Sequence, residues 1–143
     1  MSASDETIAE AQERLAAEFE LFDDWMDRYQ LLIDQGRKLA ALPEAERTDE
    51  LKVPGCQSQV WLKSAFDGER LHFRAASDAI ITSGLIALLL ELYSGRRPQE
   101  ILATPFTLGD RIGLQAHLSP SRANGFANMV KRIKEEAALR VGA

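Results

Sequence analysis

The chain has 143 residues, 45% of them hydrophobic and 27% charged, which suits one domain whose core needs no metal or disulfide staple. Its single cysteine excludes an internal disulfide, and any zinc site or iron–sulfur cluster held by cysteines of this chain alone. The net charge of −5 is uneven, with 14 acids against 5 bases up to residue 50 and 8 against 12 beyond it, and no basic stripe with interleaved aromatics offers a surface to nucleic acid.

The first residues, MSASDETIAEAQERL, are acidic and lack the basic start and apolar core of a signal peptide. Ile8, Ala11, Leu15, Phe19 and Phe22 recur at helical spacing and predict a helix over residues 5–21. Asp23 or Asp24 caps a second helix, running to about Leu42 with Trp25, Tyr29, Leu32, Ile33 and Leu39 on its apolar side. Residues 43–49 read as a polar loop. The period then drops to two, with Leu51 and Val53 around Lys52, and Pro54-Gly55 fills the central places of a type II turn. Cys56 closes that turn.

A strand from Gln59 to Phe66 leads to Asp67-Gly68, a two-residue hairpin signal, and a returning strand from Glu69 to Ala76. Such a loop sets Phe66 opposite Glu69, Leu62 opposite Phe73, Trp61 opposite Arg74 as a cation–π neighbour, and Gln57 opposite Asp78. Ser77 or Asp78 then caps a helix over residues 79–93, so the Cys56 turn falls near a helix N-terminus, a setting that lowers a thiol pKa. The charge of Asp78 opposes that effect. The helix is apolar nearly all round and makes the central core element, with Gly84 marking close packing. Its apolar run is too short and too interrupted by Thr82, Ser83, Gly84 and Glu91 to span a bilayer. Gly95 ends it, Pro98 opens a short helix to about Leu102, and Ser119-Pro120 begins a last helix with Phe126, Met129, Val130 and Ile133 on its apolar face.

Chemistry centres on Cys56. A lone cysteine is often a small buried filler, but Gly55, Gln57, Ser58 and Gln59 are poor core company and a Pro-Gly turn presents a thiol at a loop tip. Acyl transfer needs a base, and His72 lies mid-strand while His117 precedes a helix entry. A dithiol redox enzyme lacks its second cysteine. A carrier needs one accessible thiolate only, with the chemistry supplied by a partner.

The segment Val53-Pro54-Gly55-Cys56-Gln57-Ser58-Gln59-Val60-Trp61-Leu62 closely resembles the active-site segment of the SufE family, the sulfur acceptors of cysteine desulfurases. Ser77-Asp78-Ala79-Ile80 with Gly84-Leu85-Ile86-Ala87, Pro98-Gln99-Glu100-Ile101, and His117-Leu118-Ser119-Pro120-Ser121-Arg122 extend the resemblance over about residues 20–140. It implies one α+β domain over residues 1–143, with a small antiparallel three-stranded sheet packed against helices as in the scaffold proteins of iron–sulfur assembly, and residues 1–15 as a loosely packed helical extension. It implies that Cys56 takes up sulfur as a persulfide from a cysteine desulfurase of the SufS or CsdA type and passes it to an iron–sulfur scaffold complex. The pyridoxal phosphate belongs to the desulfurase, so no cofactor and no metal are expected here. Gly55 permits the turn. Gln57, Ser58 and Gln59 donate to the thiolate or to the partner backbone. Asp78 is a helix cap or partner contact, and Arg122 reaches the cysteine loop or binds a carboxylate. The alternatives are a non-sulfur-carrying adaptor that regulates the desulfurase and a stand-alone thiol enzyme. The acceptor reading expects a cytoplasmic monomer with no membrane contact.

Overall fold

The computed structural model describes residues 6–39, 42–53 and 59–141. Helix α1 (Ile8–Glu20) opens on a capping box: the Thr7 hydroxyl accepts from the Glu10 N–H while the Glu10 carboxylate accepts from the Thr7 N–H. The described part of residues 1–15 is packed rather than loose, because Ile8, Ala11 and Leu15 are buried in the main core. Gln12, also buried, binds the distant chain: its Oε1 accepts from the amides of Thr107 and Leu108 at 2.8 and 2.9 Å, and its Nε2 donates to the Pro105 carbonyl. Helix α2 (Trp25–Arg37) is capped by Asp24, which accepts from the Met26 N–H. It ends before the expected Leu42, since the amides of Lys38 and Leu39 bond three residues back and tighten the last turn.

Among the described residues the sheet has two strands, β1 (Val60–Phe66) and β2 (Leu71–Ser77), paired antiparallel. The expected third strand is reduced to one bridge, Lys52 to Trp61, beside a bond from the Val53 N–H to the Val60 carbonyl. Residues 49–51 wind into a 3-10 turn and Pro54 has no N–H to give, so only Lys52 and Val53 are left to pair. The hairpin register is shifted by two from the sequence expectation. Leu62 faces Ala75, Ser64 faces Phe73 and Trp61 faces Ala76. The cause is Asp67, whose carboxylate accepts from the Glu69 and Arg70 amides and moves the loop to Gly68-Glu69, with Gly68 at φ 98°. A shift of two preserves the faces, so Val60, Leu62, Leu71, Phe73 and Ala75 are buried as the alternation requires. The cation over Trp61 is Arg47, at 5.7 Å, while Arg74 pairs with Glu46.

Helix α3 (Ile80–Tyr93) carries Leu85, Ile86, Leu88, Leu89 and Leu92 into the centre of the core, each worth about 1.5–3 kcal/mol when fully buried. A Cβ on Gly84 would lie 2.3 Å from the Leu32 carbonyl oxygen, and one on Gly36 would lie 2.9 Å from the Gly84 nitrogen. Helices α2 and α3 therefore cross backbone to backbone. Gly95, at φ 78°, turns the chain out of α3, and Arg96 is buried with its Nε on the Leu92 carbonyl and a second bond to the Glu6 carbonyl. Helices α4 (Pro98–Ala103), α5 (Leu108–Ile112) and α6 (Pro120–Arg140) complete the molecule. Ser119 caps α6, and Lys134 donates to the Ile101 and Thr104 carbonyls at the end of α4. No helix among the described residues is long and apolar enough to cross a membrane.

Candidate functional site

Cys56, with Pro54, Gly55, Gln57 and Ser58, lies outside the described residues. The structure describes the frame that carries this segment. On its upstream side Val53 is buried and hydrogen-bonded to the Val60 carbonyl at 2.8 Å. On its downstream side the exposed Gln59 is clasped twice by Asp78: the Gln59 N–H donates to the Asp78 carboxylate at 3.0 Å, and the Asp78 N–H donates to the Gln59 carbonyl at 3.3 Å. Both ends of the segment are thus held at one end of the hairpin.

The same register shift that displaces Trp61 places Gln59, not Gln57, opposite Asp78. It also changes the work of Asp78. The N-cap position of α3 is Ala79, and no side chain among the described residues caps the helix. The Ser77 hydroxyl accepts from the Ala79 amide at 3.2 Å, one residue before the helix begins. Asp78, expected as a cap, instead holds the strand end that follows Cys56. Gln59 therefore sits beside the start of α3, whose backbone amides favour negative charge nearby.

Arg122 is half-buried in the first turn of α6, its amide accepted by the Ser119 hydroxyl at 3.2 Å. Its guanidinium has no carboxylate partner among the described residues, and no hydrogen bond or ion pair of the described residues joins it to Gln59 or Asp78. Trp61 is half-buried in the sheet, under Arg47. Neither histidine stands beside this frame as a base. The ring of His72 bonds Asp67 at 3.0 Å, at the hairpin's other end. The ring of His117 stacks on Trp25 at 4.0 Å while its backbone carbonyl accepts from the Tyr29 hydroxyl. Sequence reasoning missed one exposed residue at the site, Ile80, two positions beyond Asp78 and 68% exposed. The core periodicity of α3 concealed it, because a first-turn residue of a central helix can point away from the core.

The SufE family model, described as an Fe-S metabolism associated domain, matches residues 13–137. The chain belongs to the SufE family, whose domain is one of Fe–S metabolism. An uncharacterised SufE-like protein of Rhizobium etli is 43% identical over 136 residues, covering 92% of both chains, and one of Rhizobium meliloti is 42% identical over 136 residues, covering 92% of this chain and 97% of its own. The SufE-like protein 1, chloroplastic/mitochondrial, of Arabidopsis thaliana is 43% identical over 111 residues, which are 77% of this chain and 30% of the plant protein. A solution structure of a hypothetical protein from Thermus thermophilus superposes with a TM-score of 0.76 at 18% identity, covering 93% of this chain and 97% of that one. That likeness is one of fold.

Proposed function

We propose that the protein is a sulfur acceptor and activator of a pyridoxal-phosphate-dependent cysteine desulfurase. The Cys56 thiolate attacks the outer sulfur of a persulfide on the desulfurase cysteine. The S–S bond breaks, the desulfurase cysteine leaves as a thiolate, and Cys56 becomes the persulfide. Desulfurase turnover rises because its cysteine is freed. Cys56 then delivers the sulfur to an iron–sulfur scaffold complex by a second exchange of the same kind.

The observation that carries this reading is the chain's only thiol in a segment pinned at Val53 and Gln59 beside the start of α3. The test is the intact mass of the protein, without reductant, after incubation with cysteine and a cognate desulfurase. The parent gains one sulfur atom and Cys56→Ser gains none. If Cys56→Ser stimulates the desulfurase as well as the parent does, the protein is an adaptor and not a carrier.

A further inference from the structure

The closed end of the hairpin carries a cavity that the sulfur chemistry does not use. It measures about 240 Å³ and opens between the hairpin loop, the start of α4 and the last turn of α6. Its polar lining comes from Glu69, Arg97, Gln99 and Arg140, with Phe66 and Gly68 beside them. A cation in the last turn of α6 suits the helix dipole, but Arg140 has no carboxylate partner among the described residues. Its guanidinium lies 5.7 Å from the centre of the Phe66 ring, and its Nε is buried with no hydrogen-bond partner among the described residues. Arg97 does have a partner, Glu69 at 2.7 Å, yet the two side chains are 60% and 59% exposed. An ion pair so open to water holds weakly and yields to a better anion. Asp67, the other acid of the turn, is committed to the Glu69 and Arg70 amides and to His72. Arg70, bonded to the Gly95 carbonyl, adds a third cation at this end. Three arginines thus stand against two carboxylates here, and one of those carboxylates is already engaged.

We propose that this cavity binds a phosphate group, free or as a small phosphate monoester, held between the Arg97 and Arg140 guanidinium groups with the Gln99 amide as a neutral donor. Guanidinium groups match the oxygens of phosphate in paired hydrogen bonds. Charge decides the class of ligand. Once Glu69 lets go of Arg97, the cavity carries two positive charges, which a phosphate dianion neutralises and a simple carboxylate does not. Glu69 is a built-in competitor that occupies Arg97 until the ligand arrives. The site is independent of the carrier reading, because it lies at the far end of the hairpin from the frame that carries Cys56.

The experiment uses the full chain, isotope-labelled for nuclear magnetic resonance, with the amide shifts of Gly68 and Gln99 as the readout. It is titrated with inorganic phosphate, methyl phosphate or acetate at constant ionic strength and mildly alkaline pH, where both phosphates are dianions. The two amides should shift to saturation with either phosphate and far less with acetate, and the tighter of the two phosphates identifies the form the cavity takes. Arg140→Gln, first checked for the parent's thermal unfolding, should weaken phosphate binding about tenfold or more, the loss expected for one charge-assisted contact. Glu69→Gln removes the competitor and should tighten binding several-fold, a gain that a misfolded variant does not imitate. Shifts that never saturate, or that acetate produces equally, are general ion effects and overturn the proposal. Equal affinity of Arg140→Gln and the parent, or no gain in Glu69→Gln, overturns it as well.

Discussion

The two ends of the hairpin use the same device, an aspartate accepting backbone amides, in opposite surroundings. At the closed end the Asp67 carboxylate accepts from Arg70 and Glu69 and pairs with His72. These bonds, that from the Arg70 amide foremost, hold its pKa well below the usual carboxylate range. The chain leaving α3 then ties to the same strand through the bridge of Leu71 with Arg96, whose side chain is buried among carbonyls. At the open end Asp78 holds Gln59, and beyond it lie a helix start that no described side chain caps and the exposed Ile80. Stability is concentrated away from the end that carries Cys56. On the proposed carrier function, the thiol is offered at the end held by fewer of the described contacts.

This contrast can be broken at several points. Gly84→Ala is expected to have the largest effect, because the new methyl meets the backbone oxygen of Leu32 and must push α2 off α3. Urea unfolding should show a loss of about 2–3 kcal/mol, despite the better helix propensity of alanine. Gln12→Ala follows, at about 2 kcal/mol, since it strands the buried amide of Leu108 and the part-buried amide of Thr107. Asp78→Ala should cost less than about 1 kcal/mol globally, yet it should accelerate hydrogen exchange at the Gln59 amide while leaving the amides of Glu69 and Arg70 unchanged. A cost for Asp78→Ala equal to that of Gln12→Ala would erase the distinction between the two ends.

The smallest effect at neutral pH belongs to Tyr93→Phe. The Tyr93 hydroxyl is buried without a hydrogen-bond partner among the described residues, so its removal should be neutral or slightly stabilising. Burial pushes the Tyr93 pKa from 10.0 up to about 12. A raised folded-state pKa means that the unfolded chain loses its proton first as the pH climbs. The parent should therefore lose stability from pH 10 to about 12. Melting curves of Tyr93→Phe should lack that part of the alkaline decline.

Much of this architecture was legible in the sequence. The helices and buried faces followed from periodicity, and Gly84 announced the close crossing it makes. The cysteine segment was legible as a motif, VPGCQSQVWL, whose family the comparisons bear out. The hairpin register was not, because it depends on whether a side chain or the backbone closes the turn. Asp67 can do either, and a two-residue displacement leaves the apolar alternation unchanged. The same ambiguity hid the role of Asp78, since capping a helix and clasping a strand end both ask for a short carboxylate at that position. The third strand failed because alternation over three residues cannot show whether a partner strand has room to continue. Exposure of Met26 and Ile80 was concealed for another reason: apolar spacing shows where a helix has an oily face, not which elements arrive to cover it.

The stack of Trp25 on His117 gives the protein an optical handle of its own. Only two tryptophans are present, and Trp61 is held in the sheet under Arg47. Trp25 shares the first turn of α2 with Met26, and indole emission follows the polarity around the ring. A partner settling on α2 would therefore register in unlabelled protein as a shift in emission wavelength, and Trp61→Phe would leave Trp25 as the sole emitter.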